Sequence, residues 1–285
     1  MHLTVFDVQH GACALLTCDN GNRIMIDCGH NGEDDWRPGN YLAERKIKRL
    51  EQLVVTNYDE DHVSGLPNLI SKVHIVSILR NKSVAPDDLK ALKSEDGMGP
   101  GIDQLVDLAR QYNQPLEDAD APQFPRVEKQ VYYHDYPTFD DENNLSLVLN
   151  LRIAGINFMF TGDLEKSGWR KMLETNDKFK ETVKDVHVLF AAHHGRENGF
   201  YEPLFTEYDC NPYLVVISDK AKQYQSQETV ANYMKYTKGF YVGDTDRWVL
   251  TTRKDGTIRF DFGIEDRKMD VQTHYDMTQE EGLHT

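Results

Sequence analysis

Three short stretches of the sequence concentrate side chains that hold metals or move protons. Asp59, Asp61 and His62 fall within four positions of the stretch Asn57-Tyr58-Asp59-Glu60-Asp61-His62. Ligand-type side chains on one tight loop can point at a common centre, and zinc accepts both imidazole nitrogen and carboxylate oxygen. An acidic solvated loop with an incidental histidine has the same composition, and the loop alone does not separate the two readings. Asp163 follows Phe160-Thr161-Gly162, where a turn-forming Asp after Gly is the plain alternative. His193 and His194 stand side by side after Leu189-Phe190-Ala191-Ala192 and before Gly195, and two such residues need partners if they face inward.

In each case an apolar run precedes the ligand-type residues, so the elements around them decide whether they meet. Residues 3–8, 14–18 and 23–27 read as strands, with Asp19-Asn20-Gly21-Asn22 as a hairpin turn. A helix is expected from Pro38 to Ile47, a strand over 53–56, a helix starting at 65–67 and a strand over 75–79. The region 82–127 is polar and rich in Pro and Gly, with helical spacing only over 102–112. It reads as an inserted segment that covers a cleft. Strands are then expected from Gln130 and over 145–153, 156–160, 186–190 and 214–217, with helices over 167–175 and 229–236. Residues 248–252 and 257–262 read as the two arms of a hairpin turning at Asp255-Gly256. Two strand-rich halves with helices between predict two packed sheets with helices outside, a single domain over 1–265 and a charged tail over 266–285. Strand ends along one edge of such a sandwich converge on a common cleft, which would bring the three stretches together.

The bulk properties narrow the chemistry. No run approaches the roughly 18 consecutive apolar residues that a membrane span needs. The N-terminus reads as a first strand and not a secretion leader, so the expected location is cytoplasmic, with no membrane partner. Cys13, Cys18, Cys28 and Cys210 form no CxxC pair and are expected as buried reduced thiols. The formal net charge of −15 argues against a basic track for long nucleic acid, and the small basic groups read as solvated faces.

The stretch from Asn57 to His62 is similar to the HxHxDH signature of metallo-β-lactamase-fold hydrolases, and closer to the HxDxDH form of the ComEC-type competence proteins. Phe6-Asp7-Val8-Gln9-His10-Gly11 resembles the family's DVGQG opening, Ile26-Asp27-Cys28-Gly29 its IDxG and Asn144-Leu145-Ser146-Leu147-Val148-Leu149 its NxSLVL strand. Thr161-Gly162-Asp163 and His193-His194-Gly195 resemble TGD and HHG, and all of these stand in family order. The family's membrane channel is absent, so the chain looks like a free-standing hydrolase domain.

The resemblance implies an α+β fold, a four-layer αββα sandwich, with one or two zinc or manganese ions in the cleft. It gives Asp59 to the first metal position, Asp61 and His62 to the second, Asp163 to a bridge and His193 to completing the shell. Asn57 stands where the first family histidine is expected, and an amide oxygen is a poor zinc ligand, which points to a weak first position or a harder ion such as manganese. His194 reads as a ligand or a proton donor, and Asp61 as a catalytic residue orienting a metal-bound hydroxide. His10 reads as a cleft or a structural residue. Arg196 could hold a phosphate, and Lys220 and Tyr224 are candidate substrate contacts. The implied activity is that of a phosphodiesterase or nuclease on a small phosphodiester or single-stranded nucleic acid. Its rivals are a lactone or thioester hydrolase and a catalytically degenerate relative that binds a nucleotide or a protein.

Overall fold

The structure is a computed structural model that describes residues 1–94, 98–117, 119–220, 228–265 and 267–277. Five strands come first: β1 His2–Val5, β2 Cys13–Thr17, β3 Arg23–Cys28, β4 Gln52–Val54 and β5 Ile78–Leu79. Six follow: β6 Val127–Tyr132, β7 Val148–Ile153, β8 Ile156–Phe160, β9 Val188–Phe190, β10 Leu214–Ile217 and β11 Val249–Thr251. β12 Ile258–Phe262 and β13 Met269–Gln272 close the series. One sheet has the order β13-β12-β1-β2-β3-β4-β5 and the other β11-β10-β9-β8-β7-β6.

The alternation of side chains along these strands makes the layers. Ala14, Leu16, Ile24 and Ile26 face Leu149, Leu151, Phe158 and Val216 in a core between the sheets. The residues between them, Leu15 and Met25, face the other way and pack under helices α1 Pro38–Glu44, α3 Leu66–Lys72 and α5 Pro100–Gln111. Val148, Met159, Leu189 and Val215 do the same on the second sheet, under α6 Lys166–Thr175 and α7 Asp177–Lys184. The result is the expected αββα sandwich. Three more helices matter here: the one-turn α2 Glu60–Val63, α4 Pro86–Leu92 and α8 Pro203–Thr206. No helix among the described residues is long and apolar enough to cross a membrane. The four cysteines are buried and free.

Local chemistry explains the turns. Gly21 at φ 83° closes the β2–β3 hairpin, with Asn20 Oδ1 accepting from Asn22 N at 3.1 Å. Ala154 and Gly155, both at positive φ, join β7 to β8 as a two-residue hairpin loop.

Several elements differ from the sequence expectation. The segments 248–252 and 257–262 do not pair with each other. β11 joins β10 in the second sheet and β12 joins β1 in the first. Between them Asp255 accepts from Thr251 N at 2.8 Å and from Arg247, which stabilises a turn of helix that carries the chain across the sandwich. The charged stretch after Ile264 contains β13, because Val271 and Met269 alternate onto the inter-sheet core. The expected 75–79 strand breaks in two, His74–Ile75 pairing with Arg49–Leu50 and Ile78–Leu79 with β4. Helix α4 was not anticipated, although Pro86 in its first turn is a helix-start signal. Nor was α7, where Asn176 accepts from Phe179 N at 3.0 Å as an N-cap and Phe179 and Val183 bury one face.

Candidate metal centre

The strands β3–β4–β5 and β8–β9–β10–β11 are parallel, and β1 runs the same way as β3 because β2 is antiparallel to both. Their carboxyl ends are where open α/β sheets gather ligands. The exits of β1, β3, β4, β8, β9 and β10 carry His10, Asp27, Asn57 to His62, Asp163, His193 to Arg196, and Ser218 to Lys220 respectively. Leu147 N donates to Thr56 O at 2.7 Å and stitches the two sheets together at this edge.

Asp61, His62 and His194 bring one ligand atom each to within 4.8 Å of one another. Asp163 Oδ1 lies 3.0 Å from His62 Nε2 and 3.6 Å from His194 Nε2, and Asp61 Oδ2 lies 3.2 Å from His194 Nε2. The far side of each ring is anchored. His62 Nδ1 donates to Asp27 Oδ2 at 2.8 Å, and His194 Nδ1 donates to the Ser218 carbonyl at 2.9 Å. A carboxylate and a carbonyl only accept, so these partners put the Nδ1 hydrogens outward and leave both Nε2 atoms aimed at the cluster. Asp27 is itself held by Thr56, whose N donates to Oδ1 at 2.7 Å.

Glycines let the loops approach. A Cβ on Gly11 or Gly29 would lie 2.4 Å from the Asp61 carbonyl oxygen, so each of these two loops needs its glycine to pack against the backbone of Asp61. His193, His194 and Gly195 are three successive residues in the left-handed region, at φ 50°, 51° and 70°. Non-glycine residues held there are costly and concentrate at functional sites. The His193 N–H to Gly162 carbonyl bond of 3.0 Å ties this kink to the β8 exit.

The electrostatics ask for positive charge. Burial works to lower the pKa of His194, but Asp163 and Asp61 outweigh it and bring it to about 9. Burial opposes ionisation of Asp163 too, yet His62 and His194 draw its pKa down to about 2. Asp61 is held well below the usual carboxylate range in the same way. Among the described residues no hydrogen bond reaches the buried His194 Nε2, although two carboxylate oxygens stand close by. Two carboxylates facing two Nε2 atoms need protons or a cation between them, and a divalent ion of the zinc type takes this donor set. The residues present therefore fit a metal.

The other expected site residues fall around this cluster. His193 stands at the margin of the cluster: Nδ1 lies 3.5 Å from Glu165 Oε1, Nε2 is 3.9 Å from Asp163 Oδ2, and Arg196 donates to Nε2 at 3.3 Å. The geometry thus gathers His194, and not His193, with Asp61 and His62. Asn57 is committed elsewhere, its Nδ2 donating to Ser146 Oγ at 3.1 Å and its Oδ1 accepting from Asp59 N at 2.6 Å. Asp59 pairs with Lys93 Nζ at 2.6 Å. Arg196 also donates to His10 Nε2 at 3.3 Å, and that nitrogen lies 3.3 Å from Asp61 Oδ2. Lys220 donates through its backbone to Asp219 Oδ1, and Asp219 is buried beside Arg253 at 3.1 Å. Tyr224 lies outside the described residues. Sequence reading missed Lys93 and Glu142, which no local pattern marks. It quoted Asp27 only as part of a motif, and that motif position was the available signal for its role.

The comparisons with known proteins bear on the same residues. The family model described as Metallo-beta-lactamase superfamily matches residues 7–199. ComE operon protein 3 of Bacillus subtilis (strain 168) is 24% identical over 272 residues, covering 89% of this chain. The match takes in 32% of that relative, so the chain spans about a third of its length. Among solved structures, the diiron β-hydroxylase CmlA from Streptomyces venezuelae aligns at 9% identity and TM-score 0.47, over 82% of this chain and 50% of that one. A diphosphatase from the PhnP family aligns at 9% identity and TM-score 0.44, over 93% of this chain and all of that one (100%). With its sandwich, its motifs in order and the family model spanning most of the chain, this protein belongs to the metallo-beta-lactamase superfamily.

Proposed function

We propose that the chain is a metal-dependent phosphodiesterase acting on small phosphodiesters or short single-stranded nucleic acid, with Asp61, His62, Asp163 and His194 holding one zinc or manganese ion. The observation that carries this reading is the convergence of two anchored imidazole Nε2 atoms on two buried or half-buried carboxylates. The match to part of ComE operon protein 3 fits the ComEC-type resemblance of the motifs, and it is that resemblance which implies a phosphodiester substrate.

A divalent ion in this position would supply Lewis acidity toward a phosphoryl oxygen and make water a stronger nucleophile at neutral pH. The protein's own groups do the rest. Asp27 and the Ser218 carbonyl fix the ring orientations of His62 and His194. Asp61 is reached from the rim by His10 and so can orient an attacking water. Arg196, held between His193 and His10, presents a guanidinium whose paired N–H groups suit a phosphate. His10 is the partly exposed imidazole of the group, with 31% of its side chain accessible, and is placed to exchange a proton with the leaving group.

The test is hydrolysis of bis(p-nitrophenyl) phosphate and a dinucleotide by protein reconstituted with zinc or manganese, run beside a lactone and a thioester. Phosphodiester turnover that disappears in Asp61→Ala supports the reading. A metal-loaded protein that leaves both phosphodiesters intact overturns it, and turnover of the lactone or thioester instead would redirect it.

A further inference from the structure

Lys93 follows α4 directly and caps its C-terminal end. Its ammonium lies 2.6 Å from Asp59 Oδ1 and 3.0 Å from Glu142 Oε1, and only 6% of the side chain is accessible. A lysine is rarely buried to this degree unless paired, and here two carboxylates hold it. Asp59 sits on the loop that also carries Asp61 and His62, and it feels the charge of Asp163. Ser146 Oγ accepts from both Asn57 Nδ2 at 3.1 Å and Asp163 N at 3.0 Å, so the loop around Asn57 and Asp59 lies directly alongside Asp163.

Three groups beside this flank of Asp163 are already engaged. The Asn57 carbonyl oxygen is taken by the Asp59 N–H, the Asp59 carboxylate by Lys93, and His193 Nε2 by Arg196. We propose that Lys93 is a built-in cation that takes the place of a second metal ion beside Asp163, so that the centre holds one ion and Lys93 supplies the second positive charge. This rests on the reading that Asp61, His62, Asp163 and His194 hold a metal. A second divalent ion would have to displace a buried ammonium from two carboxylates, and it would find His193 Nε2 already accepting from Arg196. Lys93 uses two of its three ammonium hydrogens on Asp59 and Glu142. The charge is permanent where a weakly held ion would come and go.

The experiment counts metal. Wild-type protein is loaded with excess manganese, desalted and assayed for metal per chain, and its electron paramagnetic resonance spectrum is recorded. One equivalent with the six-line signal of an isolated ion is expected. Lys93→Met keeps length and volume but strips the charge, leaving Asp59 and Glu142 without a counter-ion. It is expected to bind a second equivalent and to give a spin-coupled signal, and adding Asp59→Asn to it is expected to return the count to one. Two equivalents in the wild type, or one in a Lys93→Met protein of native circular dichroism, overturns the proposal. If Lys93→Met does not fold, the wild-type count and spectrum decide by themselves. No bound metal in the wild type defeats the metal-centre reading itself and the proposal with it, whereas two equivalents defeat the proposal and leave that reading standing.

Discussion

His193 and His194 are neighbours in sequence with opposite surroundings. The His194 ring is clamped at Nδ1 by the Ser218 carbonyl and aims Nε2 at Asp61 and Asp163, while His193 faces Glu165 and Arg196. Equilibrium dialysis with manganese should therefore separate them. His194→Ala should lose affinity by more than the ~10–100-fold typical of outer-shell changes, and His193→Ala should stay within that range. The reverse ranking would show that the geometry has been misassigned. Asp27 gives a second test, because it fixes the His62 ring without reaching the cluster. Asp27→Asn keeps the shape but removes the charge behind Nδ1, and metal affinity measured by calorimetry should fall about 10–100-fold. An unchanged affinity would show that the contact has no influence on the ligand. At this scale the sequence made Asp61, His62 and Asp163 legible because each belongs to a short local pattern after an apolar run. It gives the shell to His193 and leaves His194 as ligand or proton donor, whereas the left-handed backbone sends the adjacent side chains in different directions and gathers His194 with Asp61 and His62. Lys93 meets Asp59 from 34 positions away in sequence and Glu142 from 49, and no local spacing encodes such meetings.

The elements around the centre are fastened to it by the same loop that bears the ligands. Glu60 turns away from the cluster and accepts from Gly101 N at 2.9 Å and Ile102 N at 3.0 Å, satisfying free N–H groups at the start of α5. Gly99 and Gly101 permit this, since a Cβ on either would sit within 3 Å of the Glu60 side chain. A carboxylate at a helix N-terminus also meets the favourable end of the helix dipole. Glu60→Ala should destabilise the fold by about 1–3 kcal/mol through two orphaned donors and the lost charge. The loss should appear as a lower denaturation midpoint and faster hydrogen exchange at the first turn of α5. Wild-type exchange there would mean that the helix does not depend on Glu60. The apolar periodicity of Ile102, Leu105, Val106, Leu108 and Ala109 made α5 legible, and strands with buried neighbours on both faces were legible as apolar runs. The β11–β12 connection was not, because a two-strand pattern with a Gly turn looks the same whether the strands pair or part to different sheets. What separates them is the Asp255 network with Thr251 and Arg247, which is tertiary.

For the whole molecule, the decisive quantity is the net charge of −15 on 285 residues. A phosphate-rich polymer is repelled at long range by such a surface, so attraction is confined to the cleft, where Arg196 stands beside the candidate centre. Proteins that track duplex DNA neutralise about 6–10 phosphates and lose roughly 10³–10⁵ in affinity between 50 and 200 mM salt. With one basic group argued to meet a phosphate here, the logarithmic salt slope should be shallow, about −0.7 for a single-strand contact. The prediction is a kcat/KM for a dinucleotide that changes by less than about tenfold across that salt range, and that exceeds the value per bond for a long duplex. The duplex should gain relative to the dinucleotide as salt rises, because screening weakens the general repulsion faster than it weakens contacts inside the cleft. Kinetics on the two substrates over a salt series test this directly. A steep negative slope on the duplex, with tighter binding than the dinucleotide at low salt, would require an extended basic track and would assign this centre to a processive nuclease.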